Sequence, residues 1–349
     1  MPYGTLNADT ITNSNGLSGN AIGPGFKNRI INGDMRIDQR NAGAAVTTSG
    51  SYVVDRFSVV NVTDGAFSAQ QDSSAPTGFI NSIKCTTTTA DASLGTDQRY
   101  FVRQAIEGTN IADLGWGTAN AKTVTLSFWV RSSLTGTFGG VLRNSASNRS
   151  YPFTYSISAA NTWEQKSVTV AGDTSGTWLT TTGVGILVVF GLGVASNLSG
   201  TAGAWAGAEY LSATGATSVI GTLSATWYIT GAQLEVGSVA TPFERRDYGR
   251  ELIMCQRYYQ GNLTSGATGT SGNVIFRGNN STATGAFYYW MQFPVLMRAP
   301  PTMNVGTVTY SNASSALFFN AASGGAEISF SVSLAGGYAF IPWRAEIEL

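Results

Sequence analysis

Over residues 123–131 an apolar side chain recurs at every second position: Val124, Leu126, Phe128 and Val130 point one way and the residues between them the other. A period of two is the period of a half-buried strand and cannot be met by a helix. Further runs of this kind follow at 136–144, 151–157, 165–170, 185–194 and 226–236, and shorter ones precede it at 52–57, 67–70, 82–87 and 100–106, with turn residues between. Many short strands with frequent turns predict an all-β chain whose residues 28–244 form a two-sheet antiparallel sandwich of jelly-roll type. The 42 glycines agree with that many turns.

Outside this region the pattern changes. Residues 1–27 carry little to pack and read as an extended attachment segment. In 28–40, Met35 and Ile37 alternate with Arg36 and Asp38, which predicts a strand with one solvated or partner-facing side and a charge ladder of Asp34, Arg36, Asp38 and Arg40. Residues 195–222, rich in Gly, Ala and Ser, read as a surface loop that carries Trp205 outward. Asp247 can cap a linking helix within 245–260, where Tyr248, Leu252, Cys255 and Tyr259 make an apolar stripe. Beyond it, 261–349 reads as a small C-terminal β domain with strands near 273–277, 286–297, 307–310, 316–319, 328–334 and 338–349. The stretch from Phe287 to Phe293 is aromatic on both faces, more than a domain of this size can bury alone, so packing between subunits is expected.

Charge narrows the function. Charged residues make up 11% of the chain, in equal numbers of either sign, and histidine is absent. No Ser-His-Asp or Cys-His nucleophile, histidine metal site or near-neutral imidazole can form. Cys85 and Cys255 are too few for a disulfide framework or a thiolate zinc site and read as reduced thiols. Zero net charge gives no field for nucleic acid. The apolar run 184–194 is about half a membrane span, so it reads as a buried strand, and the start of the chain does not read as a secretory signal. The Gly-Gly pairs lack the pattern of a phosphate loop and read as turns. No cofactor is expected. A surface so poor in charge predicts burial against other copies or other components of an assembly.

Three groups of residues carry a resemblance. They are Asn28-Arg29-Ile30-Ile31-Asn32-Gly33-Asp34-Met35 with Asp55-Arg56-Phe57; Gly231-Ala232-Gln233-Leu234-Glu235-Val236-Gly237 with Thr241-Pro242-Phe243-Glu244-Arg245-Arg246 and Cys255-Gln256-Arg257-Tyr258-Tyr259; and Phe293-Pro294-Val295-Leu296-Met297-Arg298-Ala299-Pro300-Pro301-Thr302. In this order they resemble tail-fibre and related virion proteins of tailed bacteriophages. The central region also resembles the jelly roll of carbohydrate-binding modules. Such modules often carry an acidic residue for structural calcium shortly before the closing Leu-Glu pair; here Thr230-Gly231 stands there, so calcium is not carried over.

The resemblance implies a noncatalytic virion protein, made in the bacterial host cytoplasm: a short tail fibre or receptor-binding subunit, homo-oligomeric with a trimer favoured, docked to another virion protein through its N-terminal segment, with a host cell-surface glycan as a further partner. No membrane insertion is expected. A capsid decoration, head fibre or tail adaptor is the structural alternative; a carbohydrate-binding module or a glycan-degrading tailspike is the other. Trp116, Trp178 and Trp205, in Gly- and Ala-rich loops, are the candidate sugar contacts, because a flat ring stacks on the C–H face of a sugar. Trp129, Trp163, Trp227 and Trp290, on or beside strands, read as core. Gln233, Glu235, Arg245, Arg246, Tyr248, Leu252 and Tyr259 are expected to pin the joint between the domains. Glycoside cleavage would need two carboxylates at a set separation, and no spacing singles out a pair.

Overall fold

The structure is a computed structural model and describes residues 27–62, 64–262, 274–277, 285–333 and 337–349. The proposed attachment segment, apart from Lys27, lies outside them. The first domain contains β1 (Tyr52–Val54), β2 (Phe57–Val62), β3 (Ala66–Asp72), β4 (Ser82–Thr89), β5 (Arg99–Glu107), β6 (Val124–Ser132), β7 (Gly136–Arg143), β8 (Ser150–Ile157), β9 (Glu164–Val170), β10 (Val184–Val194), β11 (Ser199–Gly200), β12 (Ser212–Ala213) and β13 (Thr226–Val236). Apart from the short parallel pair β11 and β12, they form two antiparallel sheets, ordered β1-β2-β5-β10-β7-β8 and β3-β4-β13-β6-β9. The chain crosses repeatedly from one sheet to the other, which is the jelly-roll sandwich the alternation predicts.

The core lies between the sheets. Val124, Leu126, Phe128 and Val130 of β6 are fully buried against Ile186, Val188 and Phe190 of β10. The rings of Phe128 and Phe190 meet edge-on with centroids 5.0 Å apart. Trp227 is buried among them, and its indole N–H donates to the Tyr155 hydroxyl at 3.1 Å. Such burial is the dominant favourable contribution to folding. A register shift interrupts β13 between Thr230 and Gln233, so that Ile229, Ala232 and Leu234 all reach the core. Gly231 makes this possible with φ +61; a Cβ there would lie 2.7 Å from the Phe79 ring.

Two local expectations are corrected. Residues 28–40 form bends and turns, with Asn32 and Met35 in left-handed conformation. Met35 and Ile37 are buried as their pattern demands, yet the side chains of Asn28 and Asn32, not a strand ladder, fix the backbone: Asn28 bonds Ala232 O and Leu234 N, and Asn32 bonds Ile37 and Asp55 O. Asp34 and Arg40 are buried in intramolecular ion pairs, so the group is no solvated ladder. The segment 195–222 is not a free loop either. Leu198 and Leu211 cover Phe101, Val141, Leu187 and Val189 on the outer face of the six-stranded sheet, while Val219 and Ile220 enter the main core.

The helix α1 (Tyr248–Gln256) starts where expected, with the Asp247 carboxylate accepting from Arg250 N at 2.9 Å. Its buried stripe is Glu251, Cys255 and, just past its end, Tyr258. Tyr248 instead is exposed and Leu252 half-buried, because Glu251 finds an arginine inside and can occupy the inner face. The C-terminal domain follows with β14 (Tyr259–Gly261), β15 (Val274–Arg277), β16 (Gly285–Gln292), β17 (Thr302–Val305), β18 (Thr309–Ser311), β19 (Ala313–Ala322), β20 (Gly325–Val332), β21 (Tyr338–Ile341) and β22 (Trp343–Glu346). They pair as β14-β22-β17, β15-β21-β18 and β16-β20-β19 around Met291, Phe293, Met297, Ile328, Phe330 and Ile341. Trp290, expected in a core, is 54% exposed; with Tyr288 (67%) it stands on the open side of β16, beside Leu317 (64%) of β19.

Candidate functional site

The segments that carry the family resemblance fold into one joint. On β13, Gln233 and Glu235 are buried on the outer side of the sheet beneath the chain that leaves it: Glu235 accepts from Thr241 N at 2.9 Å and from its hydroxyl at 2.6 Å, and Gln233 accepts from Glu244 N at 2.8 Å. Arg246 pairs with Glu244 at 2.8 Å and Glu251 at 3.2 Å, and also donates to the carbonyls of Asn28 and Ile30. Arg257 and the Tyr258 hydroxyl grip Glu107 of β5 at 2.8 and 2.7 Å. Burial opposes the charge on Glu107, yet these bonds hold its carboxyl below the usual range. Arg298 of the C-terminal domain donates through its guanidinium to Thr182 O and through its backbone N–H to Arg257 O at 3.0 Å.

The joint closes on the penultimate residue. Glu348 takes Arg56 and, at 2.7 Å, Arg40. Arg56 also donates to Ala105 O at 2.6 Å and lies 3.5 Å from the Tyr258 ring centre; Arg40 lies 3.8 Å from that of Tyr259. Two of the expected joint residues are placed elsewhere. Arg245 is exposed and packs on the rings of Phe79 and Phe243, and Tyr248 reaches solvent, because Arg246 and Tyr258 take the inward positions.

Asp55 gives this joint a pH dependence. Burial pushes its carboxyl up to about 6 from an ordinary 3.8, against the opposing effects of Arg40 and Gln39. The folded chain therefore binds this proton more tightly than the unfolded chain, so the Asp55 contribution to stability is full below pH ~4 and is lost as pH rises through ~6. Relative to Asp55→Asn, the wild type is expected to lose about 3 kcal/mol of unfolding free energy between those limits, two pKa units of linkage. Urea titrations of both proteins across this range check it; a constant difference refutes it.

The three loop tryptophans converge, but inward. Trp116, Trp178 and Trp205 meet edge-to-face with centroids 4.7 to 5.4 Å apart, and Tyr151 closes on Trp205 at 5.2 Å. Trp116 and Trp178 are buried and Trp205 half-buried. Their indole N–H groups are satisfied by Lys122 O, by Ser175 O and Asp173, and by Ala171 O, while Arg149 clamps Asp173 with two bonds of 2.6 and 2.7 Å. The expectation of outward platforms is thereby corrected: an aromatic plug seals one end of the sandwich.

A second aromatic group lies on the outer face of the five-stranded sheet, where Tyr228 is buried and Trp129, Trp163, Lys84 and Arg131 around it are half-buried. Register sets Lys84 (β4), Tyr228 (β13) and Arg131 (β6) side by side. The Arg131 guanidinium lies 5.0 Å from the Tyr228 ring centre, Lys84 Nζ lies 5.8 Å from it, and Trp163 meets Tyr228 edge-on at 6.0 Å. Trp129, two residues before Arg131, shares the face and packs beside Gly231 and Phe79. Trp129 and Trp163 are half-buried, not core. The alternation of Val124, Leu126, Phe128 and Val130 contained this answer, because it puts Trp129 on the opposite side. Among the described residues no group of three or more Cys, Asp or Glu side chains is arranged to hold a metal ion, and no helix is long and apolar enough to cross a membrane.

No family model matches the chain, and no curated protein does. Three solved structures give partial superpositions. The enzymatically active domain of tailspike protein 4 of bacteriophage CBA120 covers 60% of this chain and 21% of its own, at 11% identity and a TM-score of 0.33. This chain thus spans about a fifth of that one. A putative sugar-binding protein from Bacteroides thetaiotaomicron covers 60% and 100%, at 12% identity and a TM-score of 0.36. The family 11 carbohydrate-binding module of Lic26A-Cel5E from Clostridium thermocellum covers 58% and 100%, at 10% identity and a TM-score of 0.27. Scores this low assign no function, and the fold stands on its own strand order.

Proposed function

We propose that this chain is a noncatalytic virion protein of a tailed phage, a tail-fibre or receptor-binding subunit that works as a homo-oligomer, with a trimer as its expected form, and that holds a cell-surface glycan on the outer face of the five-stranded sheet. The observation that supports the binding half of this reading is the pair of half-buried rings Trp129 and Trp163, set beside Lys84 and Arg131 around the buried Tyr228. Flat rings beside N–H donors are what sugar recognition needs: a surface for C–H faces and partners for hydroxyls. Assembly is supported by Tyr288, Trp290 and Leu317, which one copy leaves in water. Several weak sites held rigidly in one particle then bind by avidity. The virion assignment rests on the motif resemblance, whose separate segments meet in one joint.

A purely structural role, as a capsid decoration or tail adaptor, is the second reading. The burial of Trp116 and Trp178 favours it, since it removes the loop platforms. Labelled protein on an array of bacterial surface saccharides separates the two. Retention on at least one saccharide, weakened about tenfold by Trp163→Ala through loss of one stacking ring, is the expected result. Absence of retention on the array and on intact bacteria would overturn the attachment reading.

A further inference from the structure

Trp343 and Ala345 of β22 are buried, so the period of the strand turns Arg344 and Glu346 to its other side. There they share a cleft of about 380 Å³ with Arg40, Thr48, Ser51 and Tyr52 of the first domain, a volume within the range of small-ligand sites. Arg40 is buried in its wall. We infer that this interdomain cleft binds one or two units of a neutral sugar. It shares no residue with the group around Tyr228 and does not rest on the reading of that sheet face.

Charge around the cleft is matched, while hydrogen bonding is not. Arg40, Arg56 and Arg344 stand against Asp55, Glu346 and Glu348 in one connected network, three guanidinium groups to three carboxylates, so a ligand of either sign would leave a net charge there. Glu346, however, lies 3.6 Å from Arg40 and 3.9 Å from Arg344, too far for direct hydrogen bonds, and among the described residues its carboxylate makes none. Gaps of that size admit a bridging oxygen. The guanidinium of Arg344 and the hydroxyl of Tyr52 are likewise without a hydrogen-bond partner among the described residues. Burial pushes Tyr52 up to about 12, which keeps its hydroxyl a donor. Thr48 and Ser51 add hydroxyl groups to the wall. A sugar answers this set, because each of its hydroxyls both donates and accepts and two on neighbouring carbons can span the edge of a carboxylate or a guanidinium. An added carboxylate would meet Glu346 and an added ammonium Arg344, each a like-charge contact.

Calorimetric titration of the full chain at neutral pH with glucose, galactose, mannose, rhamnose and N-acetylglucosamine tests this, with glucuronate and glucosamine as charged counterparts. The expected result is saturable binding of at least one neutral sugar, about tenfold or more tighter than either charged counterpart and insensitive to sodium chloride. Glu346→Ala and Arg344→Ala should each weaken that binding about tenfold, the loss of a hydrogen bond to a charged group. Tyr52→Phe removes a hydroxyl and nothing else; it should weaken binding at an unaltered melting temperature, which separates a lost contact from a damaged joint. Saturable binding of none of the neutral sugars, a charged counterpart bound as tightly, or an affinity unchanged in all three variants overturns the cleft as a sugar site. The outer sheet face is tested by its own variant, Trp163→Ala, so either site can fail while the other stands.

Discussion

Replacing Arg56 with methionine is expected to cost about 3–5 kcal/mol of unfolding free energy, the usual result of removing one partner from a buried ion pair. The guanidinium is fully enclosed and has three attachments at once: the Glu348 carboxylate near the end of the chain, the Ala105 carbonyl on β5, and the face of Tyr258 just after the helix. Methionine fills the volume of the stem but leaves Glu348 to Arg40 alone and strands the carbonyl of Ala105. Because those partners belong to different parts of the chain, the domains should also lose their coupling. Urea unfolding followed by tryptophan fluorescence and far-ultraviolet dichroism is expected to show one transition in the wild type and two in the variant. Arg56 sits at φ +73 in the two-residue turn between β1 and β2, a conformation that favours glycine. Arg56→Gly is therefore the informative control: it relieves the backbone and still removes the charge, so it should remain strongly destabilised. A loss below about 1 kcal/mol in both variants would mean that the joint does not depend on this side chain.

The second large effect is expected on assembly. Tyr288 and Trp290 project from the open side of β16, opposite Ser329 and Glu327 of β20, with Phe319 of β19 edge-on to Tyr288 at 6.0 Å. Burying a large apolar ring is worth about 1.5–3 kcal/mol. Tyr288→Ser with Trp290→Ser should weaken subunit association by roughly a thousandfold, on the order of 4 kcal/mol per subunit. Sedimentation on dilution measures this directly. Both residues point away from the core of their own domain, so the melting temperature of the dissociated subunit should barely change. An unchanged association constant would place the subunit contacts elsewhere.

The strands were legible because alternation is a backbone property: β6, β10 and β13 begin and end within a residue or two of the pattern. The segment 28–40 was misread for the same reason. Met35 and Ile37 alternate with Arg36 and Asp38 as a strand would, but the ladder is replaced by asparagine side chains, and positive φ at Asn32 and Met35 leaves no mark in a hydrophobic pattern. On the helix an apolar stripe misled, since the inner position belongs to Glu251, whose burial depends on the distant Arg246. The joint was partly visible in Gln233, Glu235 and Arg246, while its other half needs Glu107, Arg56 and Glu348, brought together only by the fold. Burial of Trp116 and Trp178 was equally out of reach, because each shields the other. Trp129 was within reach through the period of β6.

The assembly and the avidity proposed for this chain depend on copies covering one another. Light scattering coupled to size exclusion, on the purified wild type at micromolar concentration, measures that most directly. The predicted result is a particle of several subunits, three by expectation, each of 36.6 kDa. A stable, soluble species of one subunit mass, with Tyr288 and Trp290 open to solvent, would contradict it.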